Sequence, residues 1–249
     1  MLIQALTIAV ALQWAPGEMR LMRYPTAHGE SVVFTYAGDL WTSKLDGGYA
    51  RRLTSHSGQE ARARFSPDGK TLAFTATYDG NADVYVMPAE GGEPVRLTYE
   101  PEPDVVLNWT PDGKIAYAST YGSFTNRQDR LWIADPKGGL PKATPLIEVS
   151  DVSYSPDGRK LAYNRSGSHE FNWRRYRGGT QGKIAFWDFA TSAYSEIPAG
   201  RENSWEPMWV GNTVYFISDK NQNTVNLYAY DTQSKRTTQL TTYNDSDIK

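Results

Sequence analysis

A Ser/Thr-Pro-Asp-Gly turn returns through this chain at nearly even spacing, and that recurrence restricts the fold more than any other feature. It stands at Ser66-Pro67-Asp68-Gly69, Thr110-Pro111-Asp112-Gly113 and Ser155-Pro156-Asp157-Gly158. Thr26-Ala27-His28-Gly29 precedes these copies, and Gly211-Asn212 is a degenerate last one. The turn glycines follow one another at intervals of 40, 44, 45 and 53 residues. Proline presets φ for such a turn, and glycine takes the positive φ that other residues avoid.

The stretch Ala61–Thr98 shows what lies between turns. Alternating residues run into Phe65, Thr71–Thr77 and Asp83–Met87 follow, and Gly91-Gly92 turns into a last run ending at Leu97-Thr98. Period-two apolar runs joined by such turns predict a four-stranded antiparallel meander. Other markers keep pace with the repeat. An aromatic stands in each third strand (Trp41, Tyr85, Trp132, Trp187, Tyr228), and Leu-Thr pairs close several units at Leu53-Thr54, Leu97-Thr98 and Leu240-Thr241. One such sheet cannot bury both faces alone, so copies must stack on it. The spacing predicts an all-β fold, a β-propeller with four-stranded blades. Blades are expected at about 21–54, 61–98, 105–144, 151–198 and 205–242, five of an expected six, an incomplete ring within a larger protein.

Residues 1–18 stand outside the repeat. Leu6–Leu12 reads as the apolar core of an export signal and is too short to span a membrane. This favours a periplasmic or exported protein, with a cytoplasmic setting as the alternative. The net charge is −2 with lysine and arginine scattered, so no basic stripe argues for nucleic acid. Cysteine is absent, which removes disulfides, thiolate nucleophiles and cysteine zinc sites. The sixteen Tyr and eight Trp fit cross-strand aromatic packing.

The fourth unit departs from the pattern. From turn glycine to third-strand aromatic takes 16 residues in the second unit and 29 in the fourth. The excess is Arg165–Lys183, RSGSHEFNWRRYRGGTQGK. Within it Trp173, Arg174, Arg175, Tyr176, Arg177, Gly178, Gly179, Thr180 and Lys183 form the candidate substrate-binding set. Arginine forks beside aromatics and a flexible Gly-Gly suit a peptide carboxylate or an acidic partner. The bland alternative is a bent loop whose arginines pair with neighbouring blades or another domain.

Other chemistry falls away on inspection. Gly178 to Lys183 lacks a spacer residue and the hydroxyl of a phosphate loop, with Ile184 in its place. Asp79, Asn81, Asp83 and Glu90 match calcium-loop positions, but Val84 stands where glycine is required. His28, His56 and His169 have no metal spacing, and no nucleophile-elbow motif is present. His169-Glu170 is the one pair with a catalytic look. No catalytic residue, metal or cofactor is therefore expected in this chain.

Two stretches carry a family resemblance. Arg20–Pro25 through Tyr36–Trp41, and above all Trp173–Ile184, WRRYRGGTQGKI, resemble the N-terminal propeller of tricorn-type serine proteases. The resemblance covers Met19 to the end, and the YRGGT stretch is its specific part. It implies a six-bladed propeller that gates or docks peptides. A second propeller, a PDZ domain and the catalytic region would follow in the same protein, assembled as a hexamer, with the catalytic residues far downstream. The family's archaeal arginine pair after the second blade is replaced here by the acidic run Glu100–Asp104. Two rival readings are a Tol-type protein-interaction propeller and the propeller lid of a prolyl-oligopeptidase-like hydrolase.

Overall fold

The computed structural model describes residues 21–125, 128–165, 176–221, 224–245 and 247–248. All regular structure among them is β. The first blade is β1 (Arg23–His28), β2 (Ser31–Tyr36), β3 (Asp39–Lys44) and β4 (Arg51–Arg52). The second is β5 (Glu60–Phe65), β6 (Thr71–Ala76), β7 (Asp83–Pro88) and β8 (Val95–Arg96). The third is β9 (Asp104–Trp109), β10 (Ile115–Ser119), β11 (Arg130–Ala134) and β12 (Lys142–Ile147). The fourth is β13 (Val152–Tyr154), β14 (Lys160–Asn164), β15 (Ile184–Asp188) and β16 (Tyr194–Glu196). The fifth is β17 (Ser204–Val210), β18 (Thr213–Ser218), β19 (Asn226–Asp231) and β20 (Thr237–Gln239). Each is an antiparallel meander in chain order, and the five are arranged as a propeller.

The turn chemistry does what the sequence predicts. Gly29, Gly69, Gly113, Gly158 and Gly211 all have φ between 57° and 78°. In the second blade the Gly69 amide donates to Ser66 O at 2.8 Å and the Thr71 amide to Ser66 Oγ at 3.0 Å, while Ser66 Oγ donates to Asp68 Oδ1 at 2.7 Å. Serine and aspartate thus take up the polar groups that the reversal leaves open.

The Leu-Thr pair is explained by the third strand beside it. Leu97 N donates to Val84 O at 2.8 Å, and Val84 N donates back to Thr98 Oγ1 at 2.9 Å. Leu53-Thr54 with Leu40, and Leu240-Thr241 with Leu227, repeat the arrangement. The threonine hydroxyl replaces a backbone acceptor where the fourth strand runs out. Blades are stitched in the same periodic way. Glu60, Asp104, Val149, Ser204 and Ile248 donate their amides to the carbonyls of Gly38, Ala82, Asp129, Gly182 and Val225, in each case near the start of the preceding blade's third strand.

The core is a series of slabs between successive sheets. Val33, Leu40, Leu72 and Phe74 fill the first gap, Ala73, Val84, Val106 and Ile115 the second. Leu107, Leu131, Leu161 and Tyr163 fill the third, and Ala162, Ile184, Phe216 and Tyr228 the fourth. The third-strand aromatics sit opposite second-strand aromatics: Phe34 with Trp41, Phe74 with Tyr85, Tyr117 with Trp132 and Phe216 with Tyr228. The ring pairs of the last three are stacked at 5.8 to 6.5 Å. Burial of these faces drives the assembly, at about 25 cal/mol per Å2 of apolar surface.

The inner strands share a further device that no turn motif announces. Strand register skips in β1 between Arg23 and Thr26, in β5 between Ala61 and Arg64, and in β17 between Trp205 and Met208. The residue entering each skip, Tyr24, Arg62 or Glu206, has φ of 51° to 54°. These are β-bulges, which bend the strand and re-aim a side chain.

Candidate functional site

In a meander, the loop from second to third strand and the entry to the next first strand lie at the same end of the sheets. The long excursion of the fourth blade, between Asn164 and Ile184, therefore faces the entry and second-strand exit of the fifth. Of the candidate set, Trp173, Arg174 and Arg175 lie outside the described residues, as do His169 and Glu170. The returning limb, 176–183, is described.

That limb is built around two glycines. A Cβ at Gly178 would come within 2.0 Å of the Tyr176 hydroxyl, so the phenol folds back over the turn. A Cβ at Gly182 would come within 2.5 Å of Trp205 Nε1, so only glycine lets the chain pass the indole. Gln181 N closes a turn onto Gly178 O at 3.1 Å, and the Gln181 carboxamide donates to Glu202 O. Gly179 and Thr180 are exposed, and Tyr176 is 39 % exposed.

Arg177 is held by the fifth blade. Its Nη1 meets Asp219 Oδ2 at 2.9 Å, with the aspartate side chain 2 % exposed. Asn203 completes the clamp. Its amide donates to Asp219 Oδ1 at 2.7 Å, and its Nδ2 donates to both Asp219 Oδ2 and Tyr176 O at 3.1 Å. Its Oδ1 accepts from Gly182 N at 3.1 Å. A guanidinium, a carboxamide and a backbone amide thus surround the buried carboxylate, and each donor replaces hydration lost on burial. Lys183 lies 3.6 Å from Glu196 Oε2 within its own blade. Beside this root lies a small surface depression between the fourth and fifth blades, lined by Ile197, Glu202, Ser204, Phe216 and Lys220.

The set singled out in the sequence is thus partly brought together. Of its described members, Tyr176, Arg177 and Gly178 share one anchored turn, which Gly182, not in that set, closes against Asn203, whereas Lys183 turns to Glu196. Asn203 and Asp219 were not singled out. Their signal is positional: each is polar and sits at the blade end that the excursion must face.

The remaining sequence candidates have structural partners. The His56 ring lies 4.0 Å from that of Tyr78, and His28 packs beside Phe65 at 5.9 Å. Asp83 is buried against Arg96 at 2.7 Å, and Asn81 donates to the carbonyls of Glu100 and Glu102, pinning the acidic run. Among the described residues no three metal-type ligands cluster, and no helix is long and apolar enough to cross a membrane.

Comparison with known proteins places this architecture. The family profile described as the tricorn protease N-terminal beta propeller domain matches residues 19–249. Tricorn protease homolog 1 of Streptomyces coelicolor is 37 % identical over 216 residues, 82 % of this chain and 19 % of that protein. Tricorn protease of Thermoplasma acidophilum is 28 % identical over 209 residues, 80 % of this chain and 19 % of that protein. The chain therefore spans about a fifth of the length of these relatives. Among solved structures, the crystal structure of the tricorn protease superposes with a TM-score of 0.80 at 26 % identity, covering 90 % of this chain and 23 % of that one. A putative TolB from Agrobacterium tumefaciens shares the fold at a TM-score of 0.71 and 21 % identity, covering 88 % of this chain and 80 % of that one.

Proposed function

From the premise that this chain belongs to the family of tricorn protease N-terminal beta propeller domains, we propose that it is a non-catalytic docking and gating module for peptides. The peptides would be handed to a serine-type active site carried elsewhere in the same protein, beyond a further propeller and a PDZ domain. Assembly as a homo-oligomer, a hexamer by family resemblance, belongs to the same proposal. The apolar run Leu6–Leu12 supports export, with the periplasm as the compartment.

The observation that carries the docking role is the anchored root of the blade-four excursion. Asp219 and Asn203 fix Arg177 and Tyr176, so the exposed Gly179-Thr180 turn is presented from a rigid base. A pre-organised arginine fork recognises a carboxylate at low entropic cost.

A titration of this chain with a fluorescent tetrapeptide tests the reading, with the free carboxylate against the C-terminal amide. The free acid should bind about tenfold more tightly, and Arg174→Ala with Arg175→Ala should erase the difference. Equal affinity for acid and amide would refute carboxylate docking at this site. Peptidase assays of the chain alone should give no hydrolysis.

A further inference from the structure

The propeller axis holds charged side chains that the docking site does not use. The inner strands β1, β5, β9, β13 and β17 pack on one another around it, so residues of non-neighbouring blades meet only across the axis. Arg62 in β5 and Asp151, the residue before β13, do so. Arg62 Nη1 lies 3.1 Å from Asp151 Oδ1, bypassing the whole third blade, and both side chains are 15 % exposed. The same guanidinium carbon stands 5.0 Å over the ring of Tyr24 from the first blade.

The backbone is bent to make this possible. Arg62 is the bulge residue of β5 with φ of 54°, a left-handed conformation that residues with a Cβ disfavour. Tyr24 and Glu206 adopt it at the matching position of their inner strands. Side chains re-aimed by bulges from the first, second and fifth blades thus occupy one level of the molecule. Arg64 stands two residues on, its Nε donating to Leu107 O at 3.0 Å while its carbonyl accepts from the Trp109 indole at 2.8 Å. Arg62, Arg64, Asp151 and Glu206 are close enough to act on one another electrostatically. Two guanidiniums face two carboxylates, so the formal charges balance. Such a group attracts neither anions nor cations strongly and is suited to bridging.

We infer that the Arg62–Asp151 pair is a bolt across the propeller axis, tying the second blade to the fourth and setting the width of the axial opening at that level. A molecule moving along the axis there has to part the two side chains. The inference does not depend on what the blade-four excursion binds.

The chain contains no cysteine, which makes a direct test clean. In the full chain, Arg62→Cys with Asp151→Cys should be bridged intramolecularly by a short bis-maleimide. Arg62→Cys with Gln233→Cys, on an outer turn of the fifth blade, should not. A second arm reads the opening itself through a thiol at Glu206→Cys. Labelling by a bulky maleimide should speed up about fivefold or more when Asp151→Asn removes the pair. Arg62→Lys, which keeps the charge and shortens the reach, should do the same, and circular dichroism identifies which variants stay folded. Cross-linking no better than the control overturns the inference. So does an unchanged labelling rate in whichever variant remains folded.

Discussion

Asp219 receives the Arg177 guanidinium at 2.9 Å across the gap between the fifth blade and the fourth, and 2 % of its side chain is exposed. The two residues come from different sheets, so their contact fixes the excursion to a surface it does not share a strand with. Asp219→Ala takes the buried carboxylate away from Arg177 and deprives the Asn203 amide of its acceptor. The expected cost is about 3 kcal/mol, read as a lower urea midpoint with an unchanged slope. Amide exchange over 176–182 should accelerate together with it. A lost midpoint without faster exchange there would separate Asp219 from the excursion. Asp219→Asn, which retains an acceptor, should lose about half as much.

The Gly182–Trp205 contact predicts a second effect at the same root. A Cβ at position 182 would lie 2.5 Å from the indole Nε1 and 2.9 Å from its Cδ1. The ring is 7 % exposed and packs with Ile217 and Val225, so it has little room to retreat. Gly182→Ala should destabilise by about 1–3 kcal/mol through overpacking and shift the tryptophan emission. Gly179→Ala serves as the comparison, since a Cβ there meets nothing within 4 Å. Equal behaviour of the two variants would dismiss the steric account.

How far these features could be read from the sequence depends on how local their causes are. The Ser-Pro-Asp-Gly turns, the cross-strand aromatics and the Leu-Thr closures each act within one sheet, so spacing alone reports them. The limits of the excursion were legible for the same reason, because β14 ends at Asn164 and β15 begins at Ile184 on either side of it. Arg177 and Gly178 stood out by type, but the partner of Arg177 lies 42 residues on in another blade and follows only from stacking. The bulges were hidden for a different reason. Tyr24, Arg62 and Glu206 have nothing in common as residue types; what they share is a backbone conformation imposed by the inner strand.

The Leu-Thr closure makes a graded prediction. Thr98 is 1 % exposed and its hydroxyl is the acceptor for Val84 N, so Thr98→Val leaves a buried amide without a partner. That should cost about 1–2 kcal/mol. Thr241 makes the matching bond to Leu227 N but is half-buried, and water can replace its hydroxyl. Thr241→Val should cost under about 1 kcal/mol. Chemical denaturation of both variants decides the matter, and a reversed order would show that the hydroxyl is not the source of the effect.

Asp104 predicts how stability responds to pH. It opens β9 with no exposed surface, and burial pushes its carboxyl from the ordinary 3.8 up to about 6. Asp83 and Glu100 push the same way, and the Ser119 and Thr98 hydroxyls pull against it. The folded protein therefore keeps a proton between pH 3.8 and about 6 that the unfolded chain has released. Stability from this group is highest below that window, falls as pH rises through it, and stays reduced at neutrality. Asp104→Asn holds a neutral side chain of the same shape at every pH. It should exceed the parent by about 3 kcal/mol at neutral pH, with the advantage vanishing near the unfolded carboxyl value. Glu60, raised by burial at the matching position of the second blade, contributes equally to both proteins and cancels in the difference. Urea titrations at pH 4 and pH 7.5 measure that difference. A gap of the same size at both values would mean that Asp104 keeps its ordinary ionisation in the fold, and that packing rather than charge distinguishes the two proteins.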